Sequence, residues 1–273
     1  RDPVHLSAAQ AIQAAMGDGD GDGDGDGDGD GLCRAGHGVA PAGHGILPTG
    51  TSGVPSRMVR TGGCGRWRRH PGLTAVQPSV LDYFCVDIET SGPIPGMHNL
   101  LSVGLTHVRR FQGRYQLFTD FYVEFRPIFP EFDEAAMRVN KLDAIRLESE
   151  GRSPEVAMGS MLEWIEGERA GRKDRPVFVA HNAPFDWMFF TYYCGHAGFS
   201  NPFGHSAIDT KALAMGRLNI PWNATSLKNV ASLLKDVEPQ DPSKLHHAGE
   251  DARYTARVFC ALMNLPPSMP STP

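Results

Sequence analysis

The sequence predicts an α/β domain: a mixed five-stranded sheet flanked by helices. Three observations lead there. Segments 82–92, 100–108 and 115–125 are rich in β-branched and aromatic residues and are separated by short breaker-rich turns, the pattern of an antiparallel meander. Residues 176–180 form a wholly apolar run bounded by breakers, as a central strand buried on both faces reads. Beyond it, helical periodicity alternates with one more short strand. A meander followed by alternating helix and strand makes a layered α/β fold.

In the first strand Tyr83, Phe84, Cys85, Val86 and Ile88 suit a pleated, half-buried surface. Asp87 and Glu89 lie two apart, so they project from the same face. Gly92, Pro93, Pro95 and Gly96 then make a turn. Leu101, Val103, Leu105 and His107 share one face of the second strand, and Gly113 marks the bend into the third. There Tyr115, Leu117, Phe121, Val123 and Phe125 alternate, until Pro127 and Pro130 end the block. Phe132, Ala135, Ala136 and Val139 make a short helical stripe. Ser153 as N-cap and Pro154 at the first helical position start a helix that continues to Gly167. The buried strand 176–180 leads directly into a helix ending near Cys194. A last strand over 206–209 and helices over 211–218, 226–234 and 250–262 complete the domain.

Outside that domain the chain changes character. Residues 1–77 hold seven consecutive Gly-Asp dipeptides, at 17–30, and almost no apolar periodicity. Such a segment buries too little surface to offset its ordering entropy, so it reads as a disordered, low-complexity tail. Arg57, Arg60, Arg66, Arg68 and Arg69 within it read as a solvated basic linker rather than a transit peptide. The folded domain is expected over 78–264, followed by a Pro/Ser-rich disordered end over 265–273. Residues 1–77 carry seven Arg and eight Asp; the rest carries 19 Lys and Arg against 23 Asp and Glu, a net charge of −4. That balance excludes a strongly basic domain that coats duplex DNA, and it fits a small or single-stranded substrate. The five cysteines are scattered and without C-x-x-C spacing. They argue against a zinc site or a disulfide framework and for a reducing, cytoplasmic compartment. No apolar run approaches the roughly 18 residues of a membrane span.

The acids carry the chemistry. Asp87 and Glu89 side by side repel each other unless a cation sits between them, and a hard divalent ion such as Mg2+ or Mn2+ prefers carboxylate oxygens. Asp186 stands in the first turn of the helix that follows the buried strand, where Asn182 and Pro184 make a cap. An acid there stabilises the helix dipole by ~0.3–1 kcal/mol. It also comes off the carboxyl end of a strand, where functional groups of α/β sheets gather. Asp251 lies near the start of the last helix, and His246 precedes it by five. Five helical residues rotate by roughly 500°, so His246 belongs to the loop leading in, free to swing toward the same site as a general base.

Residues 78–264 resemble the DEDDh family of 3′–5′ exonucleases, on the RNase H-like fold. The resemblance rests on three blocks in order: Asp87-Ile88-Glu89-Thr90-Ser91-Gly92, His181-Asn182-Ala183-Pro184-Phe185-Asp186, and His246 to Asp251. The segment from Asn201, Pro202 and Phe203 through Ile208, Asp209 and Thr210 also looks like the RNase T branch. The resemblance implies that Asp87, Glu89, Asp186 and Asp251 bind two divalent cations, Mg2+ or Mn2+, and that His246 is the catalytic base. It further implies single-stranded RNA or DNA 3′ ends as substrate, nucleoside 5′-monophosphates as product, and a homodimer. Thr90, Asn182 and Phe185 are the expected substrate contacts; Asn182 equally reads as a cap. His247 is expected to be solvated or to support the site from outside it. Asp209 reads as a cap for the next helix. Two departures stand out. Pro93 and Ile94 replace the bulky apolar wedge that many relatives carry after Gly92, and Ser102 replaces an acid in the second strand.

Overall fold

A computed structural model describes residues 81–266. The expected tail, the start of the domain at 78–80 and nearly all of the expected C-terminal end lie outside the described residues. Five strands form one mixed sheet, as the pattern predicts: β1 (Asp82–Thr90), β2 (Leu100–Phe111), β3 (Arg114–Glu124), β4 (Val177–Ala180) and β5 (Ala207–Asp209). Their order is β3-β2-β1-β4-β5. The β1–β2 and β2–β3 pairs are antiparallel, and the β1–β4 and β4–β5 pairs are parallel. The helices are α1 (Glu134–Asn140), α2 (Ala144–Glu150), α3 (Pro154–Arg169), α4 (Ala183–His196), α5 (Thr210–Leu218), α6 (Leu227–Ser232) and α7 (Ala248–Asn264). None is long and apolar enough to cross a membrane.

Strand alternation in β1 divides the core. Phe84, Val86 and Ile88 point to one side, into a cluster with Met158 and Met161 of α3 and Phe189 and Phe190 of α4. Tyr83 and Cys85 point to the other, against Ala256, Phe259 and Cys260 of α7. Each large side chain buried this way contributes ~1.5–3 kcal/mol. Because side chains alternate strictly, Asp87 and Glu89 continue the face of Tyr83 and Cys85. The register breaks only after Glu89, so both acids keep that side. The helix that packs there is α7, which brings Asp251.

Gly104 lets α7 come close. It lies opposite Asp87 in the β1–β2 register. A Cβ at this position would stand 2.1 Å from the carbonyl oxygen of Ala248, the first residue of α7. Glycine inside a strand marks such a close approach of another backbone. Here it seats the start of the helix directly over the acidic part of β1.

Several helix starts follow their sequence signals. Ser153 accepts from the Val156 N–H at the start of α3, and Asp209 accepts from the Lys211 N–H, at 2.8 Å, at the start of α5. Asn182 does not cap α4. It occupies the cap position with φ 69°, a left-handed conformation that Asn tolerates, and its side chain makes no capping bond. Helix α2 has no expectation in the sequence because of its seven residues only Leu147 is buried, which leaves no stripe. Asp143 starts it by accepting from the N–H groups of Ile145 and Arg146.

The far end of β1 carries ionisable groups that pair with one another. His107 is 1% exposed and lies between Asp82, at 2.9 Å, and Glu168, at 3.1 Å. Arg172 reaches Asp82 at 2.6 Å.

Gly104→Ala is expected to push α7 off the sheet, since the obstacle is backbone and not a flexible side chain. The expected loss is about 3 kcal/mol, read by urea denaturation of the metal-free protein. Stability within ~0.5 kcal/mol of the parent would contradict the close packing.

Candidate active site

Asp87 is half-buried, and Glu89 at 1%, Asp186 at 4% and Asp251 at 6% exposure are buried. They converge from three elements. Asp87 and Glu89 come from β1, Asp186 from the first turn of α4, and Asp251 from the first turn of α7. Asp87 and Glu89 both feel the charges of Asp186 and Asp251. Burial raises the Asp87 carboxyl well above the usual range, and Asp251, Asp186 and Glu89 push it further the same way. Burial does the same to Glu89, reinforced by Asp251 and Asp186. Burial also raises Asp186, although N–H groups of Asp186 itself and Ile88 pull it back. Asp251 is pushed up to about 6 by burial, against hydrogen bonds from Gln240 and from the backbone of His246 and His247.

His246 lies on the loop leading into α7, as its spacing predicts. Its backbone is left-handed, with φ 65°. That conformation aims its N–H at Asp251 Oδ2, at 2.9 Å. One ligating atom from each of Glu89, His246 and Asp251 lies within 4.8 Å of the others. His247 caps α7 by accepting from the Glu250 N–H, and its ring stacks on Tyr122 at 4.4 Å. It is exposed and caps the helix that carries Asp251, so it supports the site from outside it.

The remaining motif residues hold the corner together. The Thr90 hydroxyl donates to the Gly92 carbonyl at 2.9 Å, and the Thr90 carbonyl accepts from Asn140. Thr90 is 1% exposed, so its hydroxyl serves the turn rather than the cleft surface. Gly92 lies under the His98 ring, where a Cβ would come within 2.1 Å. The Asn182 N–H donates to Asp209 Oδ1 at 3.1 Å, joining the β4 end to the β5 end. Phe185 is half-buried and packs on the core, 5.4 Å from the Phe189 ring. His181 carries no role in the sequence reading. Its Nδ1 meets Thr210 Oγ1 at 2.8 Å, and burial and the neighbouring Lys211 push its pKa down to about 3. It is a neutral pin between β4 and α5.

Several cavities surround the first turns of α7, and two of them bear on the site. The larger, about 550 Å³, lies between β3 and α7 and has none of the four acids in its wall. The smaller, about 310 Å³, is lined by Asp87, His181, His246 and Asp251 together with apolar groups such as Leu227, Ala231 and Leu245. The site belongs to this second cleft.

A stretch of this chain is 36% identical to the 3′–5′ DNA exonuclease Cap18 of Escherichia coli over 177 residues, which make up 65% of this chain and 89% of that protein. The chain belongs to the DEDDh family of 3′–5′ exonucleases. No family model matches it. Among solved structures, the fold of this exonuclease is similar to the nuclease domain of 3′hExo, a DEDDh family member bound to rAMP. That match has a TM-score of 0.57 at 12% identity and covers 68% of this chain and 93% of that one. E. coli Exonuclease I in complex with a dT13 oligonucleotide matches with a TM-score of 0.51 at 12% identity, over 67% of this chain and 41% of that one.

The donor set fits hard divalent cations. It is dominated by carboxylate oxygens, which suit Mg2+ or Mn2+. Glu89 Oε2 is buried with no hydrogen-bond partner among the described residues, a costly state for a polar atom that a bound cation would relieve.

The raised carboxyl of Asp251 has a stability consequence. Its folded pKa exceeds the unfolded value, so the folded state binds more protons between the two, and stability falls as pH rises through that window. In EDTA at pH 8, Asp251→Asn is expected to be more stable than the parent by roughly 2 kcal/mol, with the difference closing toward pH 4. Denaturation curves across that range test it. A variant less stable than the parent at pH 8 would show that its lost hydrogen bonds outweigh the relieved charge.

Proposed function

We propose that this exonuclease removes nucleotides one at a time from the 3′ end of single-stranded DNA, with Asp87, Glu89, Asp186 and Asp251 as the metal-binding set and His246 as general base. The observation that carries this reading is the convergence of four mutually repelling carboxyl groups beside one histidine at the rim of a cleft. Two divalent cations, Mg2+ or Mn2+, held by the four acids would activate the attacking water and offset charge on the leaving oxygen. His246 would accept the proton of that water as it attacks the terminal phosphorus. The bond from phosphorus to the 3′ oxygen of the preceding nucleotide breaks. The departing 3′ oxygen takes up a proton from solvent, so the shortened strand ends in a 3′-hydroxyl, and a nucleoside 5′-monophosphate leaves.

The cleft supports a nucleotide-sized occupant. Its acidic groups would meet the phosphate through the cations, and its apolar lining, with Leu227, Ala231 and Leu245, would offer a surface to a base. Asn182 and Phe185 stand at the start of α4, next to Asp186, and we assign them to substrate positioning. DNA is the first choice because the 36%-identical relative carries DNA exonuclease in its name. Cys85, Cys194 and Cys260 are buried free thiols, in keeping with a reducing compartment such as the cytoplasm.

The test is direct. The full chain is incubated with 5′-labelled single-stranded DNA and RNA, with Mg2+, Mn2+ or EDTA. A ladder shortening from the 3′ end in either metal and absent in EDTA is expected, with DNA degraded faster. His246→Ala should lower kcat by about 10²–10⁴-fold while the metal-induced rise in Tm persists. A folded parent that binds oligomers but leaves them intact in both metals would overturn the catalytic reading. Sedimentation of the same preparation tests the expected homodimer.

A further inference from the structure

We propose that Gln240 is a positioning residue that fixes Asp251 for metal binding, an inference that rests on the metal-site reading above. Asp251 is held at both oxygens by the loop before α7. The His246 N–H donates to Oδ2 at 2.9 Å, and the Gln240 side-chain amide donates to Oδ1. Gln240 lies on the cleft wall with Asp87, His246 and Asp251. Its backbone faces the Tyr254 hydroxyl, and Tyr254 stands three residues beyond Asp251 on the same helix, one turn along.

The chemistry of the pair suits a metal ligand better than an ion pair would. A carboxylate offers about four lone-pair sites. Gln240 and the backbones of His246 and His247 take up three of these, which leaves a site for a cation. The amide is neutral, so it orients Asp251 without supplying a positive charge that would compete with the metal. Lysine or arginine at this place would do the opposite. Outer hydrogen bonds of this kind orient ligating carboxylates, and removing one costs about 10–100-fold in metal affinity. Gln240 lies in a segment of loop and short 3-10 turn, eleven residues before Asp251, so no helical or strand spacing links the two in the sequence.

The test uses the full chain and Mn2+ alone, titrated by calorimetry without substrate. Gln240→Met keeps the side chain's length and removes the donor; Gln240→Leu serves if that variant does not fold. The expected result is a Kd for Mn2+ raised by about 10–100-fold. The metal-free Tm should stay within about 2 °C of the parent, and kcat on labelled DNA should return toward the parent value at saturating Mn2+. An unchanged Kd overturns the proposal. So does a lowered metal-free Tm with kcat that metal does not restore, which would mark Gln240 as a structural residue of the loop. A parent that takes up Mn2+ but cleaves nothing leaves Gln240 in its role and sinks the exonuclease reading. A parent that takes up no Mn2+ overturns both.

Discussion

Four carboxyl groups crowd one corner of this protein, and three of them are buried there. Left to itself this arrangement is unfavourable, since burial and like charge both disfavour ionisation. The cost persists because the rest of the fold over-determines it. β1 cannot turn Asp87 and Glu89 away without turning Tyr83 and Cys85 out of the core on the same face. α4 cannot withdraw Asp186 without withdrawing Phe189 and Phe190. α7 cannot withdraw Asp251 without lifting Ala256 and Phe259 off the sheet. Apolar burial of the helices and strands thus holds the acids together against their repulsion.

The two ends of β1 solve the same problem differently. At the Asp82 end, His107 and Arg172 stand among the carboxyl groups of Asp82 and Glu168, so the chain supplies its own compensation. At the Glu89 end the groups that meet the acids are mostly neutral donors: backbone N–H groups of Ile88 and His246, and the Gln240 amide. Neutral donors orient a carboxylate without cancelling its charge. The contrast places the demand for external cations at one end of a single strand.

Much of this architecture is legible in the sequence, because it is written in short-range patterns. The alternation of β1, the apolar run of β4 and the Ser153-Pro154 start of α3 each encode their element locally. So does the role of Asp209, whose side chain caps α5 as read. The features that escape are those set by distant parts of the chain. Asn182 has the composition of a cap, but its backbone is turned left-handed and held by Asp209 from another strand. α2 leaves too little buried surface to make a pattern. What His247 supports becomes visible only where its ring stacks on Tyr122 of β3. Gly104 did carry a signal, since glycine inside an apolar strand points to close backbone approach, although what approaches is 144 residues away in Ala248. The nearness of the acids themselves is a product of sheet order and helix packing, which no single motif contains.

The left-handed backbone of His246 joins two parts that are usually treated as separate. One peptide unit points its N–H at Asp251 and at the same time sets the direction in which the imidazole leaves the loop. A non-glycine residue in this conformation carries a cost of order 1–2 kcal/mol, so the bond to Asp251 and the placement of the ring stand or fall as one state of the loop. Substitutions at 246 and 251 therefore act on a shared variable. Their effects will not add: once one has released the loop, a second has little left to disturb, and a double variant will resemble the worse of its parents.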